Sequence, residues 1–471
     1  STVYNFTYDD WGRTVSTKVG SIALSTNFYD AYSRLSRVDF GNGSAIYYFY
    51  DSLDRVSAIN KGNASMSWQA YEFIYDGEGN LYELRNYETH RSTFFEYDHA
   101  GRCMASTEKS FTGSGSSIAY GTTVAAYNYK YDANNRLAKL TYTLAGYTWS
   151  TEYSYDADGR QSLVKLNNGK TIEYAYGTST GRPDKITLHL DTDYVVDWTY
   201  KPGANGSATS LLSTYANGSD AKYNYDYDAN GNITKIWRGN TSFGNASEKY
   251  SYVYDSANQL VRENLYYGSG NSSNATITYE YDIWGNLLNK KIYAYTVGTL
   301  GTARETVPYA YTNSAWKDQL TSYDGESITY DASGNPTNYL GATLVWEGQR
   351  LKSYTPKDAS SGRANSYVYS YDENGIRTRK TIGNTVTDYY YNGTLLMGTV
   401  KNITNSDGST TTSKLRFSYD ADGKVVAVNY NGNYYYYLRN AQNDIVKLID
   451  KTGATVVEYT HLNSDLAAVE V

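Results

Sequence analysis

Short runs in which aromatic and β-branched residues alternate with polar ones recur from one end of this chain to the other. The pattern is clearest where Tyr223, Tyr225 and Tyr227 alternate with Asn224 and Asp226. A period of two places three rings on one face of an extended strand. Asp228-Ala229-Asn230-Gly231-Asn232 then interrupts, and Ile233 opens a second β-branched run. Asp228 suits an Asx-type turn, accepting backbone N–H groups, and Gly231 can supply the positive φ such a turn requires. The stretch reads strand, turn, strand. No segment sustains a helical period, so the expected structure is nearly all β, in twisted sheets.

This unit repeats. Tyr-Asp pairs also begin at Tyr8, Tyr29, Tyr50, Tyr75, Tyr97, Tyr131, Tyr155, Tyr254, Tyr281, Tyr330, Tyr371 and Tyr419. Four residues after each Tyr stands a residue that tolerates a left-handed backbone, such as Gly12, Gly159, Gly285 or Gly423, with Ser33 the poorest fit. Arg, Asn, Gln or Lys usually follows (Ile376 is the exception), then an apolar strand starter such as Leu35 or Val56. Such regularity predicts one repeat array over 1–471, with no second domain. Regular repeats run over 1–182 and 223–295, a degenerate stretch over 183–222, variant repeats over 296–460 and an irregular end over 461–471. Second turns are expected at Gly41-Asn42-Gly43, Lys61-Gly62-Asn63, Lys201-Pro202-Gly203 and Gly362-Arg363-Ala364-Asn365, and a longer loop over 111–125. Leu462–Val471 reads as a short helix or a frayed end.

Composition sharpens this picture. The 56 Tyr against 10 Phe imply rings whose bodies pack while their hydroxyls meet polar groups, because a buried hydroxyl without a partner is costly. A net charge of −7 argues against broad binding to nucleic acid or an anionic membrane. No apolar run reaches the roughly 18 residues of a membrane span. The single cysteine, Cys103, excludes an internal disulfide and reads as a small core residue. Ser1, with neither Met nor a signal peptide, reads as the start of an excised segment.

Candidate chemistry is sparse. Asp226–Ile233 matches the first eight positions of an EF-hand loop, but the twelfth is Trp237 where a bidentate Glu belongs, and strands flank it. Turn chemistry is the better reading. His90, His99, His189 and His461 show no metal-ligand spacing. Nucleophile elbows, zinc-protease motifs and phosphate-binding loops are all lacking. No catalytic residue, cofactor or metal is assigned. Aromatic faces beside Asn and Asp could stack on sugars, but cross-strand packing accounts for them more simply. Sequons such as Asn245-Ala246-Ser247 and Asn274-Ala275-Thr276 arise readily in Asn- and Ser-rich turns.

Tyr155-Asp156-Ala157-Asp158-Gly159-Arg160 and Tyr281-Asp282-Ile283-Trp284-Gly285-Asn286-Leu287 resemble the Tyr-Asp-x-x-Gly-Arg-Leu motif of the YD-repeat, or Rhs-repeat, proteins, and the resemblance extends over nearly the whole chain. It implies an antiparallel hairpin strip that spirals into a shell or barrel-like cocoon. It also implies a secreted or cell-surface setting, as in toxin-complex shells, bacterial wall-associated proteins and teneurins. An enclosed toxin or other protein cargo is the implied partner. The alternative is an adhesin or filament module that self-associates through sheet edges or binds glycan. Toxin-bearing members end in a self-cleaving segment built around Asp-Pro, and none of the five prolines here follows Asp, so no catalytic residue is carried over. The residues expected to matter are structural: Tyr8, Asp9, Gly12; Tyr155, Asp156, Gly159; Tyr227, Asp228, Gly231; Tyr281, Asp282, Gly285; and Tyr419, Asp420, Gly423.

Overall fold

The computed structural model describes residues 2–178, 180–218, 221–358 and 365–459, and their regular structure is antiparallel β with a few one-turn 3-10 segments. The opening strands set the pattern: Tyr4–Tyr8 (β1), Thr14–Val19 (β2), Ile22–Tyr29 (β3), Leu35–Phe40 (β4) and Ser44–Tyr50 (β5), each paired antiparallel with the strand before it. Strands from Tyr4 to Ser327 form one sheet of 27 and those from Thr329 to Glu458 a second of 13. The long antiparallel hairpin sheets are those expected, and they are not closed.

One irregularity recurs. The register shifts just before the Tyr of the motif, between Thr7 and Tyr8, Phe28 and Tyr29, Ser154 and Tyr155, Asp226 and Tyr227, and Glu280 and Tyr281. Tyr8 pairs with Thr14 while Thr7 pairs with Ser16, leaving one extra residue on the far strand. A bulge bends its strand and increases the local twist. The same shift stands before Tyr50, Tyr75 and Tyr371, so the local bend recurs with the motif.

Two compact units emerge from the packing. The first comprises Ser1–Ser150 with Tyr309–Arg416, the second Thr151–Pro308 with Phe417–Val471. Val19, Tyr71, Phe111, Tyr142, Leu144 and Met397 are buried in the first. In the second the core includes Val164, Leu166, Tyr225, Tyr436, Leu438 and a cluster of Ala275, Ile277 and Ile292 against Leu265 and Tyr279.

Three expected turns are displaced. Lys61-Gly62-Asn63 lies inside the strand Val56–Asn63, and the reversal falls at 64–66, where the Asn63 side chain accepts the N–H groups of Ser65 and Met66. The loop expected over 111–125 shrinks to 113–118, because its Thr and Ser residues extend the strands Cys103–Thr112 and Ala119–Tyr131. Lys201 and Pro202 end the strand Tyr194–Pro202, and the turn begins at Gly203. Gly362–Ala364 and 460–471, with His461, lie outside the described residues.

Candidate functional site

The motif turn is built by one carboxylate. Asp9 Oδ1 accepts the backbone N–H groups of Trp11 and Arg13, both at 3.0 Å, while Oδ2 meets Nε and Nη2 of Arg13, both at 2.6 Å. The backbone closes the same loop, with Gly12 N–H donating to Asp9 C=O at 2.9 Å. Asp156 repeats this with Asp158, Arg160 and the Arg160 guanidinium. At Asp228 and Asp282 the amides of Asn232 and Asn286 replace the guanidinium, at 2.9 and 2.8 Å. Asp420 accepts from the backbone of Asp422 and Lys424. Gly12, Gly159, Gly231, Gly285 and Gly423 all have φ between +75° and +89°. Both oxygens of Asp228 thus accept hydrogen bonds within the turn. Among the described residues, no three His, Cys, Asp or Glu side chains converge as metal ligands.

The Tyr joins each repeat to the one before it. Tyr29 OH donates to Thr14 C=O at 2.9 Å, Tyr75 to Val56 at 2.9 Å, Tyr281 to Leu260 at 3.0 Å and Tyr371 to Leu351 at 2.7 Å. The acceptor is the first residue after the preceding turn. Where that turn carries Arg, its guanidinium lies over the same ring: Arg13 over Tyr29 at 4.2 Å, Arg55 over Tyr75 at 4.0 Å, Arg160 over Tyr176 at 4.5 Å. These tyrosines have both their faces and their hydroxyls occupied by the protein, which leaves them poor platforms for a sugar ring. Each of the five predicted turns serves its own hairpin; those of Asp156 and Asp420 also meet, the Gln161 side chain accepting the Ala421 N–H. Tyr281 follows this bonding scheme, while Tyr227 lies beside the backbone of Leu212. Tyr8 stands apart, with 60% of its surface exposed.

The turn expected at Lys201-Pro202-Gly203 has the same backbone form, Gly203 N–H donating to Ser207 C=O and Gly206 to Gly203, although no Asp is present, and sequence reasoning missed two others. Asn405 with Gly408 and Asn440 with Asn443 close identical loops, an Asn standing in for Asp at the first position. The Asn440 side chain even accepts the Asp444 N–H at 2.9 Å, as the motif Asp does. A search for Asn-x-x-Gly or Asn-x-x-Asn at the repeat spacing would have found the latter two.

Within each unit a later segment of the strip lies against an earlier one. In the first, Asn42 Nδ2 donates to Asp331 Oδ2 at 3.0 Å and to Gly348 C=O at 2.8 Å, Tyr71 OH to Asp372 C=O at 2.9 Å, and Tyr129 OH to Asn392 Oδ1 at 2.6 Å. Early and late partners advance together along the chain, so the contacts are those of successive laps of one ribbon. In the second unit late residues also meet early ones, Asn168 Nδ2 donating to Tyr436 OH (2.9 Å), Asp191 N–H to Lys451 C=O (2.8 Å) and Asn217 Nδ2 to Arg439 C=O (2.7 Å), but there the partners do not advance in step.

This lap contact divides the turn aspartates electrostatically. The Arg13 guanidinium holds Asp9 below the ordinary carboxylate value, and the Asn232 amide does so for Asp228. At Asp156 and Asp282 burial opposes ionisation, but the side chains of Arg160 and Asn286 and the backbone donors outweigh it. At Asp372 and Asp420 burial wins, and both are raised. Burial likewise raises the Cys103 thiol, while His189, at the end of its strand, is raised by Asp193 at 3.0 Å and Glu173 at 3.2 Å.

A repeating hairpin strip whose turns, tyrosines and lap contacts are all structural defines a scaffold class. The Teneurin YD-shell family model matches residues 2–85. Among curated proteins, the tRNA3(Ser)-specific nuclease WapA of Bacillus spizizenii is 28% identical over 279 residues, 52% of this chain and 11% of its own length. The tRNA(Glu)-specific nuclease WapA of Bacillus subtilis subsp. natto is 33% identical over 145 residues, 31% of this chain and 6% of its own. Among solved structures, that of TcdB2-TccC3-Cdc42 superposes on 97% of this chain with a TM-score of 0.66 at 17% identity, using 24% of its own length. The Photorhabdus luminescens Tc holotoxin pore covers the same 97% with a TM-score of 0.58 at 17% identity, using 24% of its own length. This chain therefore matches about a tenth or less of those relatives and about a quarter of those structures. Its resemblance to the YD-repeat (Rhs-repeat) proteins is thus supported by the family model over residues 2–85, by the curated relatives and by the shared fold.

Proposed function

We propose that this chain is a non-enzymatic wall segment of a YD-repeat shell that encloses a protein cargo, in a secreted or cell-surface setting. The observation that carries this reading is the bonding of late segments of the strip to early ones within each unit, in step along the chain in the first, since a ribbon bonded to itself makes a continuous wall. The Tyr, Asp and Gly residues of the motif then set register and curvature. Their chemistry is largely spent, the turn carboxylates on backbone N–H groups and tyrosines such as Tyr29, Tyr75, Tyr281 and Tyr371 on carbonyls. The fold shared with the Tc toxin chains supports the enclosing role. Particle imaging of the purified chain tests it. A concave or hollow wall is expected; a solid compact particle or a straight fibre would overturn the enclosing role. Fractionation of the producing cells, with the protein recovered outside or at the surface, tests the setting.

A further inference from the structure

In the second unit, one turn on the early side of the contact is held by an imidazole. The strand Pro183–His189 reverses through 190–193 into the strand Tyr194–Pro202. At the tip Asp191 N–H donates to Lys451 C=O at 2.8 Å, and the Asp191 carboxylate lies 2.7 Å from Lys170 Nζ and 3.8 Å from Lys451 Nζ. Tyr194 packs beside Gly453 of the same late turn, 3.5 Å from where a Cβ there would stand. Both nitrogens of the His189 ring face carboxylates. Nδ1 is 3.0 Å from Asp193, across the turn, and Nε2 is 3.2 Å from Glu173, on the neighbouring strand Thr171–Tyr176. A neutral imidazole has one N–H, so it sets a lone pair against one of the two carboxylates; the imidazolium donates to both. Only the charged ring satisfies the bracket.

We propose that His189 is a proton-operated clasp: its protonated ring ties the 190–193 turn to the adjacent strand and so firms the contact between Asp191 and the late segment at Lys451. It does so whatever the strip encloses. The two carboxylates raise His189 above its ordinary value of 6.5, so the clasp is complete below 6.5 and is lost as pH rises through the higher folded value. The other charged groups about the turn are Lys170, Asp191, Asp450 and Lys451. Lys170 holds Asp191 below the ordinary carboxylate value and Thr452 does so for Asp450, so neither acid changes charge near neutral pH. The side chains of His189, Glu173 and Asp193 are 37%, 57% and 59% exposed, which limits the clasp to the few-fold effect of solvent-screened pairs.

Deuterium exchange of the Asp191 amide in the full chain, corrected for the intrinsic pH dependence of amide exchange, tests the clasp. Its protection is expected to be about 3-fold greater near pH 5.5 than near pH 8.5 in the parent. In His189→Gln, whose side chain does not titrate, the two values should be equal. The ring-proton resonance of His189, identified by its loss in that variant, is expected to titrate above 6.5 in the parent and lower in Glu173→Gln and in Asp193→Asn. Equal protection of Asp191 at the two pH values in the parent would overturn the proposal. So would a pH dependence that survives in His189→Gln, or a ring midpoint that neither carboxylate variant lowers.

Discussion

At the scale of single residues, the turn makes opposite demands on its glycines and its aspartates. Gly231 sits at φ +88°, and a Cβ placed there would meet only a Leu211 methyl, so backbone conformation, and not space, decides its substitution. Gly231→Val forces a β-branched residue into the left-handed region and is expected to cost more than about 1 kcal/mol. Gly77, with open space and no positive φ, is the control: Gly77→Ala should leave the urea midpoint unchanged or slightly raised. Equal midpoints for Gly231→Val and the parent would contradict the turn. The aspartates divide by pH. Asp9 and Asp228 are lowered on folding, so the stability they contribute is present above the ordinary value of 3.8 and is lost as pH falls through their still lower folded values. Asp420 is raised by burial, so its ionised form opposes folding above its folded value, and that penalty fades as pH falls toward 3.8. Asp420→Asn keeps an acceptor for the Asp422 and Lys424 N–H groups but removes the charge. The Tm advantage of this variant over the parent is therefore expected to be largest near pH 7 and to shrink toward pH 4. An advantage independent of pH would show that Asp420 is not the raised group.

At the scale of the element, the hydroxyl-to-carbonyl bond is what turns separate hairpins into a strip. Tyr75→Phe leaves the Val56 carbonyl without its donor and is expected to cost about 1 kcal/mol in denaturant unfolding. Tyr8→Phe removes a hydroxyl that has no such acceptor, and its cost should be near zero; equal losses at the two sites would refute the bonding rule. Much at this scale was legible. The Tyr-Asp pair, the left-handed residue four places on and the period of two locate the hairpins, because each is a local backbone requirement written in one or two residue types. Even Ser33, the poorest fit, takes φ +67°. The failures have equally local causes. At Gly203 a turn was legible from Pro202 and Gly203, but not its motif form, because the loop closes with backbone bonds and no Asp side chain. Asn405 and Asn440 put an amide where the pattern expects a carboxylate, and the loop closes all the same. Gly62 misled because Gly also serves where strands approach closely: a Cβ there would run into the Met66 carbonyl. The bulge before each Tyr was invisible, since it is a property of pairing and not of either strand alone.

At the scale of the molecule, lap contacts were illegible because they join residues 222 to 316 apart with no shared motif. Their energetics rest on a few buried polar groups. In the first unit Arg91 reaches Glu108 at 2.9 Å on the neighbouring strand and Asp388 at 3.1 Å on the later lap, and Arg379 binds the same Asp388 oxygen at 2.7 Å. Tyr390 OH accepts from Arg91 at 3.2 Å. Burial raises Glu108, and Arg91 is the cation that opposes this. Removing one member of such a group strands the others, which costs more than the pair contributes when intact. Arg91→Ala is therefore expected to destabilise the first unit by about 3–5 kcal/mol. Arg91→Ala combined with Glu108→Leu should recover part of that loss, because a stranded carboxylate is then replaced by apolar packing. The unfolding transition of the second unit, whose laps meet through Asn168, Asn217 and Asp191, should be unmoved if the units unfold separately. Hydrogen exchange resolved by segment distinguishes the outcomes. Faster exchange across 385–404 and 103–112 with none across 425–449 would place the loss in the lap contact of the first unit. A loss below about 1 kcal/mol would show that the laps are held by apolar packing alone and that the ionic group is dispensable.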